Sequence, residues 1–244
     1  MHQSKVVFAW CAVLIVFLLI QGCAGAKIPQ ATKKDSASLG ITIEASSHTS
    51  LLTVESVDLK QIFFIKLANK EDTITKDIIY KSNYYYAPFM SGFQAGGMEI
   101  FLLDIEPGFY AAVGGIGKGH ATKVDFLIFF PEQMVKETIT EIKSNTIVYM
   151  GKFVMSQVSV FKRMNNPDRI QQFFFNTKLF DEEQRYYGKM VISNNVNPQF
   201  HSPTMESFEK SNDKEMEFLA RHKTTFKSTD WANNINHRLE MLQK

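Results

Sequence analysis

The sequence predicts a mainly β protein, an antiparallel β-sandwich carrying a C-terminal α-helical hairpin. Three observations point there. Short β-branched and aromatic runs recur about every dozen residues from Leu51 to Val160, punctuated by Gly, Pro, Asn and Asp; that spacing favours an antiparallel sandwich or barrel over an α/β fold. Near the C-terminus the period changes, and Trp231, Ile235, Leu239 and Leu242 fall at spacings of four, four and three, on one stripe of a helix. Between the leader and the C-terminus lie about 220 residues, enough for one core of ordinary size.

The chain opens with Met1–Lys5, one cation and no acid, followed by an apolar run over Val6–Ile20. This is the positive n-region and apolar h-region of a secretory signal. A membrane-spanning helix wants roughly 20 apolar residues, and Gln21, Gly22 and Gly25 follow here without flanking cations, so a permanent span is disfavoured. From Ala24 to about Ser50 the chain is rich in Ala, Ser, Thr, Lys and Gly, which suits a flexible tether. Ile41-Thr42-Ile43 alternates within it and could begin a first strand.

Leu51–Val57 and Gln61–Leu67 read as strands, the second ended by Asn69-Lys70-Glu71-Asp72. Ile78–Tyr80 and Tyr84–Tyr86 form one β-prone stretch stopped by Pro88. Met98–Ile105 and Phe109–Val113 flank a Pro107-Gly108 turn, and Val124–Phe130 ends at Pro131. Glu137–Ile142 and Thr146–Val160 follow, and Gln171–Leu179 with Arg185–Ile192 reads as one more hairpin. After Pro198 the chain turns helical. Ser202-Pro203 places Pro at the first helical position, Met205, Phe208, Met216 and Leu219 share a face, and Asn212 interrupts it. His222 and Lys223 end this helix, where cations are favoured. Ser228 is the cap expected for the second helix.

Two resemblances follow from particular residues. Ile20-Gln21-Gly22-Cys23 resembles the lipobox of bacterial lipoproteins, with Gln21 departing from the commonest choice at its position. The resemblance implies cleavage between Gly22 and Cys23 and a diacylglycerol on the Cys23 thiol. One acyl chain binds a membrane only marginally, whereas two or three hold it stably. Ala24 in place of an inner-membrane retention Asp implies outer-membrane delivery. Ala24-Gly25-Ala26 is also an A-x-A sequence, so a cut after Ala26 that releases a secreted, adhesin-like protein is compatible with the same residues, as is an uncleaved anchor. Further on, Ile105-Glu106-Pro107-Gly108-Phe109-Tyr110 allows a type II turn after which the Tyr110 ring enters the core and its hydroxyl meets a backbone group. It is similar to the tyrosine corner of immunoglobulin-like sandwiches, and Tyr149-Met150-Gly151 resembles the Tyr-x-Gly strand that follows such a corner in uncharacterised bacterial lipoproteins. That resemblance covers roughly Gln61 to Met155, implies an immunoglobulin- or transthyretin-like sandwich, and brings no catalytic residues with it. The chain then divides into a signal peptide over 1–22, a lipidated N-terminus and tether over 23–50, the sandwich over 51–197 and the helical hairpin over 198–244.

Chemistry-bearing signatures are sparse. Once Lys5 leaves with the leader, 26 Lys and Arg face 25 Asp and Glu, a balance that argues against a nucleic-acid partner. Cys11 lies in the leader and Cys23 would be acylated, so no thiol nucleophile and no disulfide remain. Gly114-Gly115-Ile116-Gly117-Lys118-Gly119-His120 fails as a phosphate loop, because Gly119 stands where Ser or Thr is needed and Ala112 where the leading Gly is needed. It reads as a hairpin loop, with contact to a ligand as the alternative. The histidines His2, His48, His120, His201, His222 and His237 have no metal-ligand spacing; His2 leaves with the leader and the others read as solvated. Asp104, Glu106 and Asp125 could cluster if their strands pair, but flanking a turn they read as a solvated rim. Tyr84–Tyr86, Phe129-Phe130 and Phe173–Phe175 each place rings on both faces of a sheet, with core on one side and helix cover, or an exposed partner surface, on the other. The expectation is a lipid-anchored, non-enzymatic envelope module without cofactor or metal. Its partners would be the membrane, through its lipid, and an envelope protein. The competing reading is an envelope enzyme with a site built around Gly114–His120.

Overall fold

The computed structural model describes residues 27–50, 53–70, 79–86, 97–119, 121, 125–156 and 203–243. The signal peptide with Gly22 and Cys23, Ala26, His120, His201, Phe173–Phe175 and the hairpin expected over Gln171–Leu179 and Arg185–Ile192 lie outside the described residues. The described chain is mainly β, with two helices at its C-terminal end. Its strands are β1 (Ala37–Ser50), β2 (Thr53–Leu67), β3 (Ile79–Lys81), β4 (Tyr84–Tyr86), β5 (Met98–Ile105), β6 (Gly108–Gly119), β7 (Asp125–Phe129), β8 (Thr140–Ile142), β9 (Ile147–Ser156) and β10 (Thr204–Glu209). Helix α1 (Glu132–Thr138) precedes β8, and α2 (Asn212–His222) and α3 (Trp231–Leu242) follow β10.

One long hairpin organises the strands. Residues 37–45 of β1 pair with β5 on one side and with β9 on the other, and residues 46–50 pair with β2. Beyond that shared stretch β2 leaves β1 and pairs with β6 and β3. Two groups result, β10-β9-β1-β5-β4 and β3-β2-β6 with β7 and β8 on β6. All the pairings are antiparallel except β1 with β9, which is parallel. Ser82 and Asn83 carry the chain from one group to the other. The Ile62 N–H donates to Ser82 Oγ at 2.9 Å, and the Asn83 amide exchanges two hydrogen bonds with the backbone of Leu103, at 2.8 and 2.9 Å.

The period-2 alternation of β5 sends its side chains into two cores. Ile100 and Leu102 join Leu39, Ile41, Ile62, Phe64, Val113, Met150 and Phe153 in a core shared by both strand groups. Phe101 and Leu103 point the other way and join Tyr149, Phe218, Phe226, Trp231 and Ile235 under α2 and α3. A strand buried on both faces needs a continuous apolar run, which is what Ile100–Leu103 supplies. Each fully buried Leu, Ile or Phe stabilises the fold by roughly 1.5–3 kcal/mol relative to an exposed one. The helical stripe is as the spacing predicts: Trp231 and Ile235 are buried, and Leu239 and Leu242 pack partly against the same cluster.

Several expectations are corrected. The tether expected over 23–50 does not reach Ser50, because Ala37–Ser50 is a strand whose Leu39, Ile41 and Ile43 enter the core. The expected Ser202-Pro203 helix start is replaced by β10, and α2 begins after Ser211, whose hydroxyl accepts from the Lys214 N–H at 3.2 Å. Met205 and Phe208 do share a face, but a register shift between Met205 and Ser207 brings an i, i+3 pair to one side of a strand. A bulge thus mimicked a helical period. Helix α3 is preceded by Asp230, without a side-chain cap bond, rather than by Ser228. Of the expected Glu137–Ile142 strand, Glu137 and Thr138 belong to α1 and Thr140–Ile142 is β8. The loop expected over Gly114–His120 is strand through Gly119, held between β2 and β7. At Gly115 a Cβ would come within 2.6 Å of the Gln61 carbonyl oxygen, so the missing side chain permits close approach of β2.

Candidate functional site

Residues 27–36 form a strap laid across the end of the body where β1 begins. Its bonds are long-range and point at both the sheet and the helices. The Trp231 indole N–H donates to the Pro29 carbonyl at 2.7 Å, the Asp230 carboxylate accepts from the Ala31 N–H at 3.1 Å, and the Asp230 N–H donates to Gln30 Oε1 at 3.2 Å. Ile28 and Ala31 pack against the cluster beneath α2 and α3.

Asp104 clamps the other end of the strap. Its carboxylate accepts from the Thr32 N–H at 3.0 Å and from the hydroxyls of Thr32 and Ser36. The residue sits at φ 63°, a left-handed conformation that Asp tolerates better than most residues. Burial pushes its carboxyl upward, but the bonds from Ser36 and from the Thr32 and Lys33 segment outweigh this and hold it below its ordinary value. Glu106 lies beside it, 3.7 Å from Lys33 and 3.2 Å from Lys66. The hydrogen bond and charge of Lys66, with the charge of Lys33, lower the Glu106 carboxyl. Asp104 and Glu106 therefore meet as partners of the strap. Asp125 does not join them, because it pairs with Lys118, ten residues along β6 from Gly108.

The Glu106–Tyr110 corner has the expected contact. Tyr110 is fully buried and its hydroxyl donates to the Glu106 carbonyl at 2.8 Å. Burial raises its phenol well above the ordinary value. Gly108 takes φ 149°, more extended than the roughly +80° of a type II turn, and opens β6 directly. Phe109–Val113 accordingly does not fold back on β5; the chain crosses at this corner from one strand group to the other.

A second polar assembly is enclosed between β5 and α2. Glu99 is 1% exposed, its Oε1 accepts from the Arg221 guanidinium, and its Oε2 lies 2.7 Å from His222 Nε2. His222 is 0% exposed, which corrects the reading of it as a solvated residue. Tyr86, Phe101 and Phe218 ring it at centroid distances of 4.7–5.1 Å. Its Nδ1 has no hydrogen-bond partner among the described residues. A carboxylate beside an imidazole is an acid–base pair in composition, but neither group reaches solvent here. Its evident role is to pin α2 to the sheet, and Arg221 extends the link to Glu217 at 2.9 Å. A parallel pin lies about two helix turns away, where Glu215 receives two bonds at 2.9 Å from Arg238 of α3.

Sequence reasoning missed Glu99, Asp104 as a clamp, and the Asp230–Trp231 contact. Glu99 alone carried a signal, since the one acid within Met98–Leu103 had to find a buried partner. Of the expected aromatic patch, Tyr84 is buried and Tyr86 half-buried beneath α2, while Tyr85 is exposed. His237 on α3 is exposed. Among the described residues no group of three or more His, Cys, Asp or Glu is placed to hold a metal ion, and no helix is long and apolar enough to cross a membrane. No protein family, no curated protein and no solved structure matches this chain significantly.

Proposed function

We propose that this chain is a lipid-anchored envelope protein whose body is a β-sandwich with a helical cover, working as a binding or structural module rather than as an enzyme. The observation that carries the proposal is the junction Ile20-Gln21-Gly22-Cys23 after a 15-residue apolar run. The sandwich is supported by the core shared between the two strand groups and by the Tyr110–Glu106 contact. The non-enzymatic reading is supported by the fate of the two most chemical features, since Gly114–Gly119 is spent on strand pairing and the Glu99–His222 pair is sealed from solvent. Delivery to the outer membrane, with the body in the periplasm or at the cell surface, is the localisation this reading takes from Ala24.

Metabolic labelling with a fatty-acid analogue tests the proposal. Label on the wild type and none on Cys23→Ala is the expected result. Equal label on both, or none on either, refutes it. N-terminal sequencing separates the secreted form, because a blocked Cys23 and a free Lys27 are different outcomes.

A further inference from the structure

We infer that the strap end of the body rests on the lipid headgroups, with β1 and β2 carrying their hairpin tip away from the membrane. The inference builds on acylation of Cys23 and adds an orientation and a contact surface to it. The strap is fixed from Pro29 onward by Trp231, Asp230 and Asp104, so it is part of the body rather than of a free tether. Only the links from Cys23 to Lys27 separate the acylated sulfur from the first described residue. Four residues reach at most about 14 Å even when fully extended. The polar region of each leaflet is itself about 5–7 Å deep. Lys27 is therefore held at or just above the headgroups, and the end of the body bonded to it comes down with it.

The chemistry of that end permits the contact. Lys27, Lys33 and Lys34 of the strap and Lys66 beside it stand against Asp35, Asp104, Glu106 and Asp230 at that end, so its charges balance and it is not repelled from anionic lipid. The opposite end is defined by the same strand. Ala37 follows the strap directly, and β1 runs from it to Ser50, up to about 40 Å of strand. Val54, paired with His48 at that tip, is exposed. An anchored protein with a long tether would sample all orientations, whereas this one cannot present its strap end to a soluble partner.

Lys34→Cys and Val54→Cys are made in the full-length chain, processed in cells, and labelled with an environment-sensitive fluorophore. The mature chain has no other free thiol if Cys23 is acylated. The purified proteins are reconstituted into phosphatidylethanolamine/phosphatidylglycerol vesicles carrying a headgroup-attached quencher. The expected result is loss of most emission at position 34 and none at position 54. A Gly/Ser insertion of about twenty residues between Ala26 and Lys27 adds roughly 25 Å of reach, and is expected to restore the emission at position 34 while the protein still floats with vesicles. Equal quenching at both positions in floating protein overturns the orientation and leaves the anchor standing, and quenching at position 34 that survives the insertion overturns the short link as what sets it. Protein that fails to float removes the anchor and the orientation together.

Discussion

Gly40 is where the helical cover presses hardest on the sheet, and its substitution tests how that layer is held. The residue lies in mid-β1, opposite Phe101 of β5 and Tyr149 of β9. A Cβ there would stand 2.5 Å from Phe218 Cζ, 2.6 Å from its Cε1 and 3.3 Å from Phe101 Cε1. The ring has little room to yield, because it stacks on Tyr149 at 4.3 Å and lies 5.2 Å from Phe101. Forcing a methyl into such a core costs about 1–3 kcal/mol. The lower entropy of the unfolded Ala chain offsets only about 0.4–1 kcal/mol of the clash. Gly40→Ala is therefore expected to destabilise by roughly 1–3 kcal/mol, a fall of several degrees in Tm for a body of this size. Phe218→Ala alone is expected to cost about 3–5 kcal/mol through the cavity it leaves. In the double variant the methyl occupies part of that cavity, so the pair should cost about 1–2 kcal/mol less than the sum of the two single changes. Urea unfolding followed by circular dichroism, in a Cys23→Ala background free of lipid, measures all four corners of the cycle. Additivity within about 0.5 kcal/mol, or a neutral Gly40→Ala, would refute the close seating of α2 on β1.

Three further outcomes follow from the polar contacts. Tyr110→Phe keeps the buried ring and deletes the 2.8 Å bond to the Glu106 carbonyl, so a loss of about 1 kcal/mol is expected in the same assay; no loss would show the corner is held by the ring alone. Glu99→Leu removes the shared acceptor of His222 and Arg221 and should destabilise by about 3–5 kcal/mol, whereas Arg221→Met should cost less, because Arg221 is largely exposed and its neighbours keep other contacts. The reverse order would place the energetic weight on the surface pair. The Asp104 carboxyl is held below its ordinary 3.8 in the folded chain, so its stabilisation is complete above about pH 4 and is lost as pH falls through the lower folded value. Trp231, which bonds the strap at Pro29, should report this as a change of emission below pH 4. Asp104→Asn should weaken the strap at neutral pH and flatten that acid transition; an unchanged acid profile would dissociate Asp104 from it.

Legibility differed by the range of the interaction that sets each feature. Met98–Ile105 and the Trp231–Leu242 stripe were readable because a buried strand and a one-faced helix impose local periods. The Tyr110 corner was readable because Pro107, Gly108 and Tyr110 act within six residues. Met205 and Phe208 misled because a bulge gives a strand the i, i+3 repeat of a helix. Gly114–Gly119 misled because glycine signals a loop locally while its use here is to let β2 approach. Ala37–Ser50 was hidden by its composition, since small and polar residues suit both a tether and the crowded middle of a sheet beneath aromatic rings.

Local chemistry along the chain sufficed for the β character, the helical pair at the end, and the junction at Cys23 on which the anchoring proposal stands. Those features depend on neighbours a few residues apart. The partners of Glu99, Asp104 and Trp231 lie 68 to 202 residues away in sequence. Nothing in a linear pattern specifies such pairs, because they exist only after the β1–β2 hairpin and the helical cover bring distant side chains within bonding distance. The fold, rather than the composition of residues 27–36, therefore turns an apparent tether into a strap.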